Sequence, residues 1–260
     1  MILKQLSVAA LCALSVSFSH GFQSEAGFFA MNSASDGNST TGLGVSAIYS
    51  LEEIYNYNGP LGLAYFMSKA STVTLNHSEY NSDFDYTSSS ISGDFVIDDK
   101  ISIGVEYNKS KSDFSDSKSL RLSAGYFLSD LEHISIDYES DEGSDLYAFS
   151  LFSIYEVPND KYLGLSLSLN VDNSDDYTNY RSYAGVSYYL QRNLSHTFSH
   201  QYYHYDNNFA DVPNSHQMSY GVQYFYTSSV KLGGTVGYSI SEGASNSERT
   251  FMLVSAAKRF

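Results

Sequence analysis

Several residue types are scarce in this chain of 260 residues, and each scarcity excludes a class of protein. The chain has one cysteine, three prolines and no tryptophan. A single cysteine excludes a disulfide framework and a zinc site built on cysteines. Basic residues number 14 against 29 acidic ones, which gives a net charge of −15. Because nucleic-acid binders need a basic surface, we expect no nucleic acid among the partners.

Long apolar runs and helical periodicity are also missing after the first twenty residues. No later window holds 18 consecutive apolar residues, which excludes a membrane protein built from helices. Apolar residues do not recur at the three-and-four spacing of an amphipathic helix. Tyrosine and phenylalanine are abundant, with 24 and 16 residues, and this aromatic content argues against a disordered chain.

The N-terminus has the pattern of a secretory signal peptide. Lys4 supplies a positive charge, residues 5–18 are mostly apolar, and Ser19 and Gly21 place small residues at a cleavage site. We predict a signal peptide over residues 1–21 and a mature domain over residues 22–260. Cys12 lies inside the predicted leader, so the mature domain contains no cysteine.

The mature chain alternates between apolar and polar residues, which is the pattern of strands with two different faces. In residues 163–170 four leucines alternate with Gly164, Ser166, Ser168 and Asn170. Residues 101–108, 134–139, 217–226 and 230–240 repeat the pattern. A soluble sandwich and a transmembrane barrel both produce such strands, because one face of each meets an apolar environment. Alternation alone leaves both architectures open.

Aromatic residues and connection lengths favour the barrel. Tyrosines, which suit a membrane–water boundary, fall near predicted strand ends at Tyr107, Tyr138, Tyr155, Tyr188, Tyr226 and Tyr238. Short turns are expected at 98–100, 129–131, 158–160, 191–193 and 227–229. Longer polar loops are expected between them at 34–41, 79–88, 109–118, 140–145, 171–178, 206–215 and 241–248. Short turns at one edge and longer loops at the other are typical of outer-membrane barrels.

Two segments carry a resemblance to a known family. Residues 249–260 end in Phe260, with Met252, Val254 and Ala256 at alternate positions upstream, although Lys258 stands where an apolar residue is usual. This segment resembles the C-terminal strand of Gram-negative outer-membrane β-barrels. Residues 59–66 read G-P-L-x-x-A-x-F and resemble a segment of predicted porins from marine gammaproteobacteria.

The resemblance has consequences for location and partners. It implies a location in the cell outer membrane of a Gram-negative bacterium, among outer-membrane lipid and lipopolysaccharide. It also implies that Phe260 acts as a C-terminal assembly signal for the barrel assembly machinery.

We predict an all-β fold, a transmembrane antiparallel up-and-down β-barrel of about 14 strands, with 12 as the alternative. Single-chain barrels have an even number of strands. The least secure strands are 25–33 and 61–80, the latter read as one long or bent strand. Residues 55–70 are open to a second interpretation, in which they enter the lumen and constrict it.

The predicted inner face carries many glycines and serines, which leave space and favour an open bore. Seven charged residues share that face and are predicted to line the pore: Glu106, Arg121, Asp137, Glu139, Glu156, Arg181 and Lys231. Such charges bias which ions enter, or they form ion pairs that only brace the wall. Both interpretations stay open from the sequence.

We expect no enzyme, no cofactor and no metal. The chain lacks a G-x-S-x-G elbow and an H-E-x-x-H motif. His196, His200 and His204 share one strand face. Successive histidines of this set lie about 13 Å apart along the strand, which is too far for them to bind one metal ion. His133 and Asp137 share another face, without further support for a protease.

The function predicted from the sequence is a porin-like channel for passive diffusion of small hydrophilic solutes or ions. The first alternative is a structural or adhesive barrel with a blocked lumen, and the second is a barrel hydrolase. Neither the solute, the ion selectivity nor the oligomeric state follows from the sequence, because monomeric and trimeric barrels have the same pattern.

Overall fold

A computed structural model describes residues 21–35, 38–55, 59–82, 85–113, 115–141, 143–174, 177–207, 214–242 and 247–260. The predicted signal peptide lies outside these residues except for Gly21, the first residue of the first strand, so it stays a prediction. Within the described ranges no helix has the length and apolar character needed to cross a bilayer.

Fourteen strands form one closed antiparallel barrel, in which each strand pairs with the next and the last pairs with the first. They are β1 (Gly21–Ser35), β2 (Asn38–Tyr55), β3 (Thr72–Asn81), β4 (Tyr86–Ile97), β5 (Ile101–Ser112), β6 (Asp116–Ser129), β7 (Glu132–Ser140), β8 (Ser144–Val157), β9 (Lys161–Ser174), β10 (Tyr177–Gln191), β11 (Leu194–Asn207), β12 (Asn214–Phe225), β13 (Val230–Glu242) and β14 (Ser247–Arg259). The prediction of 14 strands is therefore confirmed, and the alternative of 12 is wrong.

The alternating residues divide between an apolar outer face and a polar inner face. On β5 the side chains of Ile101, Ile103 and Val105 are exposed on the outside, whereas Gly104 between them is buried. Leu167 and Leu169 on β9 are exposed in the same way. A soluble sandwich would bury these residues in its core, so the arrangement excludes that architecture.

The connections differ from the predicted alternation of lengths. We call the edge where β1 begins and β14 ends the proximal edge, and the opposite one the distal edge. The predicted distal loop 109–118 is mostly strand, because β5 continues to Ser112 and β6 begins at Asp116. The other predicted long loops are shortened in the same way. The longest connection is residues 56–71, which joins β2 to β3 at the proximal edge.

Two proximal turns are tight hairpin turns. Asp98 and Asp99 have φ values of 50° and 56°, and Asn159 and Asp160 have φ values of 68° and 55°. Two consecutive left-handed residues are what a two-residue turn matching the strand twist requires. Asp and Asn tolerate this conformation because their side chains bond locally to the backbone.

Residues 61–80 do not form the single long strand that the sequence suggested. Leu61–Leu63 form a 3₁₀ turn, α1 (Ala64–Met67) follows it, and β3 starts only at Thr72. Pro60 is the N-cap residue of the 3₁₀ turn, and its ring fixes φ at −62° just before the chain enters the turn. Leu61 and Leu63 resemble alternating strand residues in the sequence. They are apolar because both are buried against the barrel interior, and neither belongs to a strand.

The barrel closes where β14 meets β1. The Phe260 N–H donates to the Ser24 carbonyl at 2.7 Å, and the Phe260 carbonyl accepts from the Gln23 N–H at 2.8 Å. The Lys258 ammonium lies 5.0 Å from the centre of the Phe260 ring. Lys258 stands where an apolar residue is usual in such strands. Its cation–π contact with the terminal aromatic ring stabilises the ammonium at this position.

Candidate functional site

The segment 59–71, which we call the plug, folds into the barrel at the proximal mouth. Leu63 packs with Ile154 of β8 and Tyr189 of β10 in a cluster that is almost completely buried. Partly buried apolar side chains surround this cluster: Phe66, Met67, Leu131, Phe152 and Tyr162. The interpretation that residues 55–70 enter the lumen is therefore correct for residues 59–70, whereas Tyr55 is the last residue of β2 in the wall, and the proximal mouth is not an open bore.

Polar contacts attach the plug at several points around the mouth. The Leu61 N–H donates to the Arg192 carbonyl, in the turn after β10, at 2.9 Å. On another side the Lys69 ammonium lies 2.7 Å from an Asp130 carboxylate oxygen, in the turn after β6. The Val96 N–H of β4 donates to Ser71 Oγ at 3.1 Å. The plug thus bridges strands that lie far apart around the barrel.

A buried ion pair joins the plug to the seam between β1 and β14. The side chains of Arg259 and Glu25 are 3% and 5% exposed, and Arg259 Nε donates to Glu25 Oε2 at 2.8 Å. Arg259 Nη1 donates to the Leu61 carbonyl at 3.1 Å. Lys231 of β13 binds the other oxygen of Glu25. Such a pair is stable in a low dielectric because each charge has a partner and further hydrogen bonds.

Aromatic rings complete the surroundings of Arg259. Its guanidinium lies 4.4 Å from the centre of the Phe22 ring and 4.6 Å from that of Phe225. The plug residue Tyr65 packs edge-on against Phe22. The Tyr65 hydroxyl is buried without a hydrogen-bond partner among the described residues. Burial, and next the negative charge of Glu25, raise the pKa of Tyr65, so this phenol stays neutral.

Four of the predicted pore residues come together on the inner wall of β5 to β7. Arg121 donates to Glu139 through Nη2 at 2.6 Å and Nε at 3.0 Å. Its Nη1 lies 3.8 Å from a Glu106 oxygen. Asp137 shares the inner face of β7 with Glu139 and pairs in register with Ser123. Asp94 follows on β4, in register with Gly104. We call Asp94, Glu106, Asp137 and Glu139, with Arg121 among them, the acidic wall.

The other three predicted residues lie elsewhere. The Arg181 guanidinium lies 4.9 Å from the centre of the Tyr203 ring, on the side of β10 and β11. Lys231 is held by Glu25 beneath the plug. Glu156 lies exposed near the proximal end of β8. The seven residues therefore form no single ring, and their role in lining a pore stays a prediction.

An open cavity of about 300 Å³ lies between the plug and the inner wall of β4 to β7. Its lining combines plug residues with the acidic wall and includes Phe66, Lys69, Asp94, His133 and Asp137. The cavity thus brings the plug ammonium and wall carboxylates to one water-accessible space.

A serine and a histidine meet beside this cavity. His133 Nε2 lies 2.8 Å from Ser102 Oγ. Among the described residues no carboxylate bonds the other ring nitrogen, so the group that orients a catalytic histidine is missing from the pair. The described ranges also hold no group of three or more histidine, cysteine or acidic residues arranged for a metal.

Comparison of the structure with solved structures finds barrels of bacterial outer membranes. The sequence itself matches no family profile and no curated protein. Omp33 of Acinetobacter baumannii superposes with a TM-score of 0.66 at 16% identity, over 93% of this chain and 99% of that chain. A bacterial polysaccharide outer membrane secretin gives 0.56 at 10% identity, over 93% and 99%. This chain folds as an outer-membrane β-barrel.

Sequence reasoning missed several residues on which this outer-membrane barrel depends. Glu25 and Arg259 are neighbours only because of the register between β1 and β14, where they form a direct pair. Lys69 and Asp130 lie 61 positions apart in the chain. Asp94 alternates with the outward apolar residues of β4 in the sequence. This alternation could have predicted its position on the inner wall.

Proposed function

We propose that this outer-membrane barrel is a porin-like channel for passive diffusion of small hydrophilic solutes or ions, restricted at its proximal mouth by the plug. The observation that carries the proposal is the open cavity between the plug and the acidic wall, which leaves water-accessible space beside the plug. Diffusion through it involves no covalent step and no cofactor.

The inner wall supports a preference for cations. The acidic wall has four carboxylates and one guanidinium, that of Arg121, which pairs with Glu106 and Glu139, while Asp94 and Asp137 line the cavity. Fixed charges of one sign beside a narrow passage raise the local concentration of the opposite ions. We propose a moderate cation preference on this basis.

The outer face supports a location in the outer membrane, with lipid and lipopolysaccharide around the barrel. Tyr155 and Tyr226 lie exposed near the proximal ends of their strands, and Tyr107 and Tyr138 lie exposed farther up the wall. Tyrosines at two levels suit two membrane–water boundaries. In this orientation the proximal edge and the plug face the periplasm, and the strand ending in Phe260 serves the barrel assembly machinery as its signal.

The test is single-channel conductance of the folded barrel in a planar bilayer under a KCl gradient. One variant replaces residues 61–70 by a Gly-Ser linker of equal length, so that all fourteen strands remain. We expect small discrete steps from the unmodified chain and larger steps from the variant, with heat-modifiable migration in gels showing that both are folded. A folded variant without larger steps would contradict the assignment of the plug as the restriction.

A second function, a structural barrel with a blocked lumen, is favoured by the attachment of the plug on several sides of the mouth. The same recordings separate the two functions. Silence of the folded unmodified chain, together with conductance of the linker variant, would establish the blocked barrel and overturn the channel.

A further inference from the structure

The outer face of β11 and β12 is unlike the rest of the lipid-facing surface. Phe198 is 52% exposed there, and the alternation of the strand places His196, His200 and His204 on the same face. His216 lies beside them on β12. His200 lies about halfway along β11, and the exposed residue about halfway along β6 is Leu122. Imidazoles in the middle of a hydrocarbon layer cost free energy, and residues of this kind usually have a function there.

Each of three histidines on β11 has one hydrogen-bond partner on β12. His196 Nδ1 lies 2.6 Å from the Tyr220 hydroxyl, and His204 Nδ1 lies 2.8 Å from Asn214 Oδ1. His200 Nε2 lies 3.2 Å from His216 Nδ1. Within the described ranges the second ring nitrogen of each β11 histidine has no recorded partner. Hydrocarbon chains provide none, and an unsatisfied polar group in lipid is costly.

A groove runs beside these histidines. It has a volume of about 310 Å³ and a floor of small residues, Ser182 and Ala184 of β10. Phe149, Leu167 and Leu169 form one wall, and His200 stands at the other. We call the outward side chains of Phe198, His200, Tyr202 and His216 the ridge. The ridge and the groove therefore lie side by side on one face.

We propose that a second copy of this chain covers this face, and that a two-fold axis perpendicular to the membrane places the ridge of each copy in the groove of the other. A two-fold contact requires a self-complementary surface, and an adjacent ridge and groove provide it. A neutral imidazole has one donor and one acceptor, so facing histidines and serines satisfy each other. Lipid offers neither.

The position of His77, the histidine on the opposite side of the outer face, argues for a closed dimer rather than an open row of barrels. His77 lies on β3, six strands from β11 around a barrel of fourteen, which is almost the opposite side. A contact between these two different surfaces would build an open row of barrels rather than a closed assembly. The two-fold pair uses a single face, on which four outward histidines lie beside the groove.

The first test is site-specific photo-crosslinking in native outer membranes. A benzoylphenylalanine is placed at Ala184 in the groove or, as a control, at the exposed Ile91 of β4, six strands from β10. We expect a product of twice the chain mass from Ala184 and none from Ile91. Products of another mass, such as lipopolysaccharide adducts, or no product from Ala184, would overturn the proposal.

The second test fills the groove. Ala184→Trp is compared with Ala124→Trp, a matched change on the exposed outer face of β6. Light scattering of the purified barrel in mild detergent should show twice the chain mass for the unmodified chain and for Ala124→Trp, and half that mass for Ala184→Trp. Heat-modifiable migration shows that each variant is folded. A monomeric unmodified chain, or a dimer that survives Ala184→Trp, would contradict the two-fold contact through the groove.

Discussion

Arg259 joins the barrel wall to the plug, because its buried guanidinium contacts both of them. Its guanidinium neutralises Glu25 and also donates to the carbonyl of Leu61. Because both charged side chains are almost fully buried, loss of Arg259 leaves Glu25 with Lys231 alone, and loss of Glu25 leaves Arg259 without its carboxylate in a low dielectric. The stability of the seam and the position of the plug therefore depend on the same residue.

Replacing Arg259 by alanine should lower the free energy of unfolding by about 2–3 kcal/mol, because buried Glu25 loses a charge-assisted hydrogen bond and keeps only its contact with Lys231. The measurement is urea unfolding of the barrel in lipid vesicles. Arg249→Ala is the control, since Arg249 lies on the same strand and donates to the neutral Ser33 hydroxyl. Its loss should cost about 1 kcal/mol. Equal losses in the two variants would refute the special role of the Glu25 pair.

The pair between Lys69 and Asp130 makes the plug sensitive to acid. The hydrogen bond and charge of Lys69 hold the pKa of Asp130 below its ordinary value of 3.8. A lowered pKa in the folded state means that the pair stabilises the plug above the ordinary value and is lost as the pH falls through the lowered one. Conductance steps should therefore grow as the pH falls below about 4, and less so in high salt because Asp130 is exposed.

Asp130→Asn isolates this effect from other carboxylates. We expect the variant to show the larger steps already at neutral pH and to lose that part of the acid response. Asp99→Asn, in another proximal turn, should behave as the unmodified chain. An unchanged acid response in Asp130→Asn would show that other groups cause it.

At the scale of elements, the plug is a short turn and helix held by packing rather than by its own hydrogen bonds. α1 has four residues, far below the length at which an isolated helix is stable. Leu63, which is 4% exposed, and its neighbours on β8 and β10 supply the missing stability. The plug should consequently open locally without unfolding of the barrel.

Leu63→Ala should weaken the seating of the plug by about 2 kcal/mol, through lost burial and the space left behind. Limited chymotrypsin digestion at Tyr65 and Phe66 measures this, because cleavage follows the open population. Cleavage should become roughly 30-fold faster, as the free-energy change implies. Leu122→Ala, on the exposed outer face of β6, should leave the rate unchanged. Similar cleavage of both variants would show that Leu63 does not hold the plug.

At the scale of the whole molecule, two chemically different surfaces share every strand. The outer one is apolar and the inner one carries the acidic wall, so charge can act on passing ions only from the inside. Glu106→Gln with Glu139→Gln leaves Arg121 without its two partners and should shift the reversal potential toward anion preference. The matched control is Glu79→Gln with Glu132→Gln, two carboxylates on the outward-facing alternation of their strands. A shift of equal size in the control would exclude selectivity by the acidic wall.

The sequence predicted the surfaces well because they depend on local alternation. The leucines of residues 163–169 identify β9 and its outer face without any knowledge of neighbours. The same rule failed at Leu61 and Leu63, because burial against the lumen imitates the pattern of a strand. Arg259 and Glu25 meet only through pairing between the two ends of the barrel, and no short window of sequence contains that information.

The contact between Arg259 and Leu61 also sets an order of events during folding. Leu61 belongs to the second connection of the chain, but its partner belongs to the fourteenth strand. The guanidinium reaches its final place only when β14 pairs with β1. Until β14 pairs with β1, the plug therefore lacks its contact with Arg259, and the full set of contacts that holds it forms only when the barrel wall closes.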